Sequence, residues 1–205
     1  MSRLRLFLAS ASPRRLDLLR QIGLDPQLLP TSVDERSLDG EPPRALAARL
    51  ARAKGLAAAP RVAASSDAAE PVVLAADTIV VLGGEAIGKP SSPEHAARML
   101  RSLRGRTHEV LTAVFLHRPA SRGDLCEVES TSVTFGDIDD ETIHAYVAGG
   151  EPLDKAGAYG LQGRGALFVT RIDGSWSNVV GLPVERLPGW FRRLGLDLLR
   201  DIAWS

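Results

Sequence analysis

Asp77 is the one charged residue in an eleven-residue run, Val72-Val73-Leu74-Ala75-Ala76-Asp77-Thr78-Ile79-Val80-Val81-Leu82. A carboxylate withdrawn from water costs several kcal/mol unless it is paired, hydrogen-bonded or set against a cation. Two readings follow from that cost. Asp77 either lies near the end of its element and caps a turn, or opens into a cleft as a metal ligand or general base. A second group is Ser10-Ala11-Ser12-Pro13-Arg14-Arg15, with two hydroxyls and two guanidiniums around a proline. Free N–H groups in a first helical turn attract anions, and Arg14 or Arg15 would add charge. An ordinary capped helix with solvated arginines is the alternative. A third pointer is compositional: of 25 basic residues, 22 are Arg and three are Lys, at Lys54, Lys89 and Lys155. An ammonium is compact, with three donors, and suits phosphate oxygens in a tight space. Lys54 could equally serve a helix C-terminus. Finally, the glycine-dense stretch 149–163 is too long for a plain connector and reads as the lining of a site.

The elements that must hold these residues follow from periodicity. The Val/Ile-rich run around Asp77, ended by Gly83-Gly84, predicts a strand buried on both faces. Residues 4–9 predict a first strand. Ser12 as N-cap and Pro13 in the first helical position then open a helix with Leu16, Leu18, Leu19 and Ile22 inward, closed by Gly23. A short strand over 27–31 leads to a polar loop carrying Asp34 and Glu35. Pro42-Pro43 opens a helix to about residue 59, and the Ala/Ser/Pro-rich stretch 58–71 predicts a surface loop. After a turn at Gly83-Gly84, Ser92 caps a helix to residue 103, strands cover 108–117 and 125–135, and Asp139 caps a helix to residue 147. A strand over 166–172, a turn at Asp173-Gly174, a short strand over 178–180 and a helix from Val184 finish the chain. The lone Cys126 sits in an alternating run and reads as packed or idle, and the four histidines show no metal-ligand spacing. Trp190 and Trp204 read as packing residues.

At 205 residues the chain predicts one large domain or two small lobes. Acidic and basic residues both number 25, which argues against a general nucleic-acid binder. No segment approaches the roughly 18 apolar residues of a membrane span, and the N-terminus lacks a signal-peptide pattern, so a cytoplasmic location without membrane partners is expected.

Five stretches occur in order: Ser-x-Ser-Pro-Arg-Arg (10–15), Ala-Asp-Thr (76–78), Gly-Lys-Pro (88–90), Glu-Pro-Leu-Asp-Lys-Ala-Gly-Ala-Tyr-Gly-Leu-Gln-Gly (151–163) and Gly-Ser-Trp-Ser-Asn-Val-Val-Gly-Leu-Pro (174–183). Together they closely resemble the Maf family of nucleoside triphosphate pyrophosphatases over nearly the whole chain. The 151–163 form looks like the branch acting on dTTP and UTP. The resemblance implies an α/β chain with a two-lobed Maf/ITPase-like fold around an elongated mixed β-sheet with a cleft between lobes. It implies a single Maf-like domain over 1–205, a homodimer, and hydrolysis of a nucleoside triphosphate to monophosphate and pyrophosphate with a divalent metal, Mg or Mn. By motif, Asp77 is similar to the proton acceptor, and Arg14, Thr78 and Gln162 match positions tied to substrate choice. Glu35, Lys54 and Lys89 resemble the remaining charged cleft residues. Trp176 stands where a Tyr or His is expected, Leu161 replaces an Ile, and Ala11 a Gly.

The chemistry asks for such residues. Arg14, Arg15, Lys54 and Lys89, with Ser10 and Ser12 at the helix start, would neutralise a triphosphate. Asp77 and Glu35 would supply the one or two carboxylates that a phosphate-bound Mg²⁺ uses. The Gln162 carboxamide complements the N3–H donor and O4 acceptor of uracil or thymine, whereas cytosine lacks that donor. Gln162 could instead tie its own loop to backbone. Other outcomes are the family branch that resembles a 7-methyl-GTP pyrophosphatase, a branch with broader pyrimidine choice, and a nucleotide-binding regulator of septum formation that does not turn over.

Overall fold

A computed structural model describes residues 4–63, 70–119 and 123–201. Among these, the strands are β1 (Arg5–Leu8), β2 (Gln27–Leu28), β3 (Pro71–Leu82), β4 (Glu85–Ile87), β5 (Thr107–Arg118), β6 (Gly123–Phe135) and β7 (Val169–Asp173). The helices are α1 (Pro13–Gln21), α2 (Pro43–Ala63), α3 (Pro93–Leu103), α4 (Asp140–Ala148), α5 (Trp176–Val180), α6 (Leu187–Arg193) and α7 (Leu198–Asp201). The strands form one mixed sheet in the order β2-β1-β3-β5-β6-β7, with β4 paired to β3. β1 runs parallel to both β2 and β3, while β4 on β3 and β7 on β6 are antiparallel. The mixed α/β class expected from the sequence is therefore present. No helix among the described residues is long and apolar enough to cross a membrane.

The chain divides into two compact units. One comprises Met1–Asp77, Thr112–Glu129 and Gly181–Ser205; the other comprises Thr78–Leu111 and Ser130–Val180. Three of the four divisions fall inside strands, in β3, β5 and β6, and the fourth follows α5; a strand that continues unbroken carries no sequence mark of such a boundary.

In the first unit, α2 lies unusually close to the sheet at Gly55. A Cβ built there would stand 2.3 Å from the Phe115 ring on β5 and 3.4 Å from Ala75 on β3. Glycine ordinarily weakens a helix interior by about 1 kcal/mol relative to alanine, so its presence here has a packing cause. Gly55→Ala is expected to destabilise the fold by about 1–3 kcal/mol through overpacking. A denaturation midpoint at or above wild type would show that the ring can swing aside.

The second unit has its own core, in which Val80, Leu100, Leu103, Val133, Phe135, Ile143, Tyr159 and Phe168 are buried together. His108 belongs to this core: its Nε2 lies 2.8 Å from the Tyr159 hydroxyl, and burial pulls its pKa down to about 4. It is a neutral packing residue.

Four expectations about elements change. The helix predicted to end near residue 59 continues as α2 to Ala63 with Pro60 inside it. Proline usually breaks a helix, but the alanines around it keep the helical preference high. The loop expected over 58–71 thus begins as helix, and its part at 64–69 lies outside the described residues, as does Trp204. The strand expected over 27–31 is only the two residues of β2. The strand expected over 166–172 begins as a 3-10 turn, Arg164–Phe168, because the Arg164 and Gly165 N–H groups donate to the Glu151 carboxylate. The strand expected over 178–180 is helix α5. Ser175 Oγ accepts the Asn178 N–H at 3.0 Å, and the Asn178 amide donates to Val110 O and Thr131 Oγ1 at 2.9 and 3.0 Å. Such a capping bond outweighs the β-preference of Val179-Val180.

Candidate active site

Asp77 is an interior residue of β3, not its end, so the turn-capping reading is excluded. It lies three residues beyond the last β1 partner, Leu74, and three before the first β4 partner, Val80. The residue is 8 % exposed, so its charge needs a counterpart. That counterpart is Lys54, whose Nζ donates to Asp77 Oδ1 at 2.6 Å. The approach of α2 explains the contact. Ala75 and Asp77 share one face of β3 by the period of two, so a helix seated on Ala75 through Gly55 brings its neighbour Lys54 to Asp77.

The same ammonium lies 2.6 Å from Glu35 Oε1. Both carboxylates therefore converge on one point. Glu35 comes from the weakly patterned loop after β2, yet that loop is fastened to α2 at several places. Thr31 Oγ1 donates to Lys54 O at 3.3 Å, Arg49 Nη2 donates to Arg36 O at 2.9 Å, and Arg49 also grips the Glu41 carboxylate at 2.7 and 2.8 Å. Glu35 remains half exposed at its side chain, whereas those of Lys54 and Asp77 are 12 % and 11 % exposed. The triad is thus closed on the Asp77 side and open at Glu35.

The turn between β1 and α1 lies in the same unit. Ser12 occupies the N-cap position, but its side chain makes no capping bond. Ser10 takes the local work: its buried Oγ accepts the Ser12 N–H at 3.2 Å and Arg15 Nη1 at 3.0 Å. Arg15 is buried too, and its Nε donates to Gly181 O at 2.9 Å. Burial lowers the Arg15 pKa from its ordinary value; the charge of Asp77 opposes this, that of Arg14 adds to it, and that of Glu35 opposes it again. Arg15 therefore anchors the turn, while Arg14 beside it is only partly buried.

Thr78, Lys89 and Gln162 belong to the other unit. Thr78 follows Asp77 on β3 and is partly buried; Lys89 is exposed after β4, and Gln162 is exposed in the turn 160–163. Within the first unit the structure brings together Glu35, Lys54 and Asp77, and separately Ser10, Ser12 and Arg15. Lys155 acts locally: its Nζ donates to Glu151 O and to Asp154 at 2.6 Å, closing a turn. Cys126 is half-buried, burial pushes its thiol pKa up, and the thiol faces Ala48 O at 3.6 Å, in keeping with a packed role.

The pair Glu35 and Asp77 fits a hard divalent cation. Both donors are carboxylate oxygens already converging on a cation, the lysine ammonium. No group of three His, Cys, Asp or Glu suited to a metal occurs among the described residues. Two protein oxygens, with water and substrate phosphates completing the shell, is the pattern of Mg²⁺ rather than of zinc.

The chain is similar to known proteins over most of its length. The dTTP/UTP pyrophosphatase of Anaeromyxobacter dehalogenans (strain 2CP-1 / ATCC BAA-258) is 50 % identical over 196 residues, covering 95 % of this chain and 96 % of that one. The dTTP/UTP pyrophosphatase of Syntrophomonas wolfei is 44 % identical over 194 residues, 95 % of this chain and 100 % of the other. The protein of that name from Escherichia coli O157:H7 is 49 % identical over 179 residues, 87 % of each chain. The family described as Maf-like protein matches residues 5–194. With that match spanning both units and with these relatives aligned over most of their length, the chain belongs to the Maf-like protein family.

Proposed function

We propose that this protein hydrolyses dTTP and UTP to the nucleoside monophosphate and pyrophosphate, by attack of water on the α-phosphate. The observation that carries the reading is the buried Asp77 carboxylate held at 2.6 Å by Lys54, with Glu35 at the same distance from the same nitrogen. The names of the relatives aligned over nearly the full chain support the substrate class. A base that removes a proton from water works best when it is oriented and partly dehydrated. Asp77 meets both conditions, so it takes the water proton.

Lys54, Arg14 and the first turn of α1 neutralise phosphate charge, with Ser10 and Arg15 fixing the turn that presents those N–H groups. Lys89 and Gln162 enter through their motifs, as a further phosphate contact and as the reader of the base; Thr78 enters likewise. Glu35 and Asp77 would hold Mg²⁺ or Mn²⁺, which when bound neutralises phosphate oxygens and acidifies water. Assembly as a homodimer and a cytoplasmic location belong to the same reading.

Pyrophosphate release across dTTP, UTP, CTP, GTP and 7-methyl-GTP, with and without chelator, is the direct test. Release confined to dTTP and UTP and abolished by chelator is expected. Tight nucleotide binding without release would favour the regulator of septum formation. Gln162→Ala is expected to reduce kcat/KM for UTP by at least about tenfold more than for CTP, since it removes the acceptor and donor that complement the pairing edge of uracil but not that of cytosine. Equal losses on both nucleotides would assign Gln162 to the loop alone.

A further inference from the structure

We infer that Glu151, with Tyr146, is a positioning residue that sets where Gln162 stands and thereby sets the pyrimidine preference. The inference rests on the function proposed above and goes one step further, from the residue that reads the base to the residues that aim it.

Gln162 sits in the turn Gly160-Leu161-Gln162-Gly163, closed by the Gly163 N–H donating to Gly160 O at 3.3 Å. Both ends of this turn lead to one carboxylate. At the entry, the Gly160 N–H donates to the Tyr146 hydroxyl at 3.2 Å, and that hydroxyl donates to Glu151 Oε1 at 3.0 Å. At the exit, the Arg164 N–H donates to Glu151 Oε2 at 3.0 Å and the Gly165 N–H to Oε1 at 3.3 Å. The charge of Glu151 makes each of the three bonds it accepts stronger than a neutral acceptor would. Burial alone would raise the Glu151 pKa; the Arg164 N–H, the Tyr146 hydroxyl and the Gly165 N–H outweigh it, helped by Lys155, and hold the group below the ordinary glutamate range. The carboxylate is therefore charged at neutral pH.

The glycines of the turn carry the same message. Gly160, Gly163 and Gly165 are not among the residues with positive φ, so no left-handed backbone demands glycine at these positions. Space demands it. A Cβ at Gly163 would lie 2.3 Å from Glu151 Oε1, one at Gly165 would lie 2.9 Å from the Tyr146 hydroxyl, and one at Gly160 would lie 2.7 Å from Lys155 Cε. The turn is pressed against Glu151, Tyr146 and Lys155, and the two residues between its glycines are thereby held in place. A base-reading carboxamide needs this, because a hydrogen bond fails within a few tenths of an ångström and a few tens of degrees.

Glu151→Gln keeps the size but replaces one acceptor oxygen by a donor, so it cannot receive all three bonds. It is expected to lower the UTP-over-CTP ratio of kcat/KM about tenfold or more. Tyr146→Phe removes only the entry link and should shift the ratio in the same direction by less. In a Gln162→Ala background, Glu151→Gln should change the ratio no further, because two residues acting through one contact are not additive. Equal losses on UTP and CTP in both single variants would overturn the inference, as would a further drop in the Gln162→Ala background. Should Glu151→Gln fail to fold by circular dichroism, the Tyr146→Phe ratio decides alone. Absence of pyrophosphate release from the wild-type protein on any pyrimidine nucleotide would instead remove the underlying function, a result distinct from a selective wild type with equally selective variants.

Discussion

Asp77→Asn is expected to lower kcat for pyrophosphate release from UTP by about 10²–10⁴-fold, the usual worth of a positioned base. The substitution preserves shape and removes acceptance of a proton at a dehydrated oxygen, together with one of the two carboxylates that would hold the metal. The Asp77 side chain is 11 % exposed in the interior of β3, so bulk water cannot take over as a comparably placed acceptor. Nucleotide binding should survive better than turnover. The phosphate-facing groups, Lys54, Arg14 and the α1 turn, are left in place, and losing one negative charge beside them eases the approach of an anion. Calorimetric binding of UTP together with single-turnover release separates the two quantities. A variant that binds and turns over at near wild-type rates would remove Asp77 from the reaction. One that neither binds nor releases would point to a collapsed triad, to be checked by its melting curve.

The strand that carries Asp77 was legible because an apolar run with one charge has few structural solutions. The start of α1 was legible because Pro13 after Ser12 is a local signal. What holds the triad together was not. Glu35, Lys54 and Asp77 are separated by 19 and 23 positions, and no periodicity links a loop, a helix and a strand. The one local trace is Gly55, a glycine inside a helical pattern directly after the lysine; such a glycine signals close approach but not to what. Arg15 shows the reverse limit. Side by side, Arg14 and Arg15 read as equivalent charges, and only the fold commits one of them to Gly181 and Ser10.

The second unit repeats the pattern. A glycine-dense loop could be read as a site lining from composition alone. That Gly160 and Gly163 answer to the close approach of Lys155 and Glu151, whereas Gly150 and Gly157 answer to a left-handed backbone, needed the distances and angles. The helical segment α5 was misread for a related reason. Valines favour strands on average, yet a serine hydroxyl and a buried asparagine amide decide the matter at this place. Local preference predicts elements where nothing else acts; polar groups that must be satisfied in the interior override it.

Lys54→Met is expected to have the second-largest effect, and on stability as well as on activity. The ammonium neutralises two carboxylates at 2.6 Å each. Removing it leaves two negative groups facing one another, one of them in a strand interior. Breaking a fully buried pair costs roughly 3–5 kcal/mol; Glu35 is half exposed and screened, so about 2–3 kcal/mol is expected here. For a chain of this size that corresponds to a melting temperature lower by about 5–10 °C. Turnover should fall about 10–10²-fold, from the loss of one charge-assisted contact to phosphate. The sharper readout concerns the cation. In the wild type, an entering divalent ion must compete with an ammonium already placed between Glu35 and Asp77. Without nucleotide, Mn²⁺ should therefore raise the melting temperature of Lys54→Met more than that of the wild type, since a ligand that binds only the folded state stabilises it by mass action. An identical response of the two proteins to Mn²⁺ would mean that the metal does not use these two oxygens. An unchanged melting temperature without metal would mean that Lys54 does not bridge them.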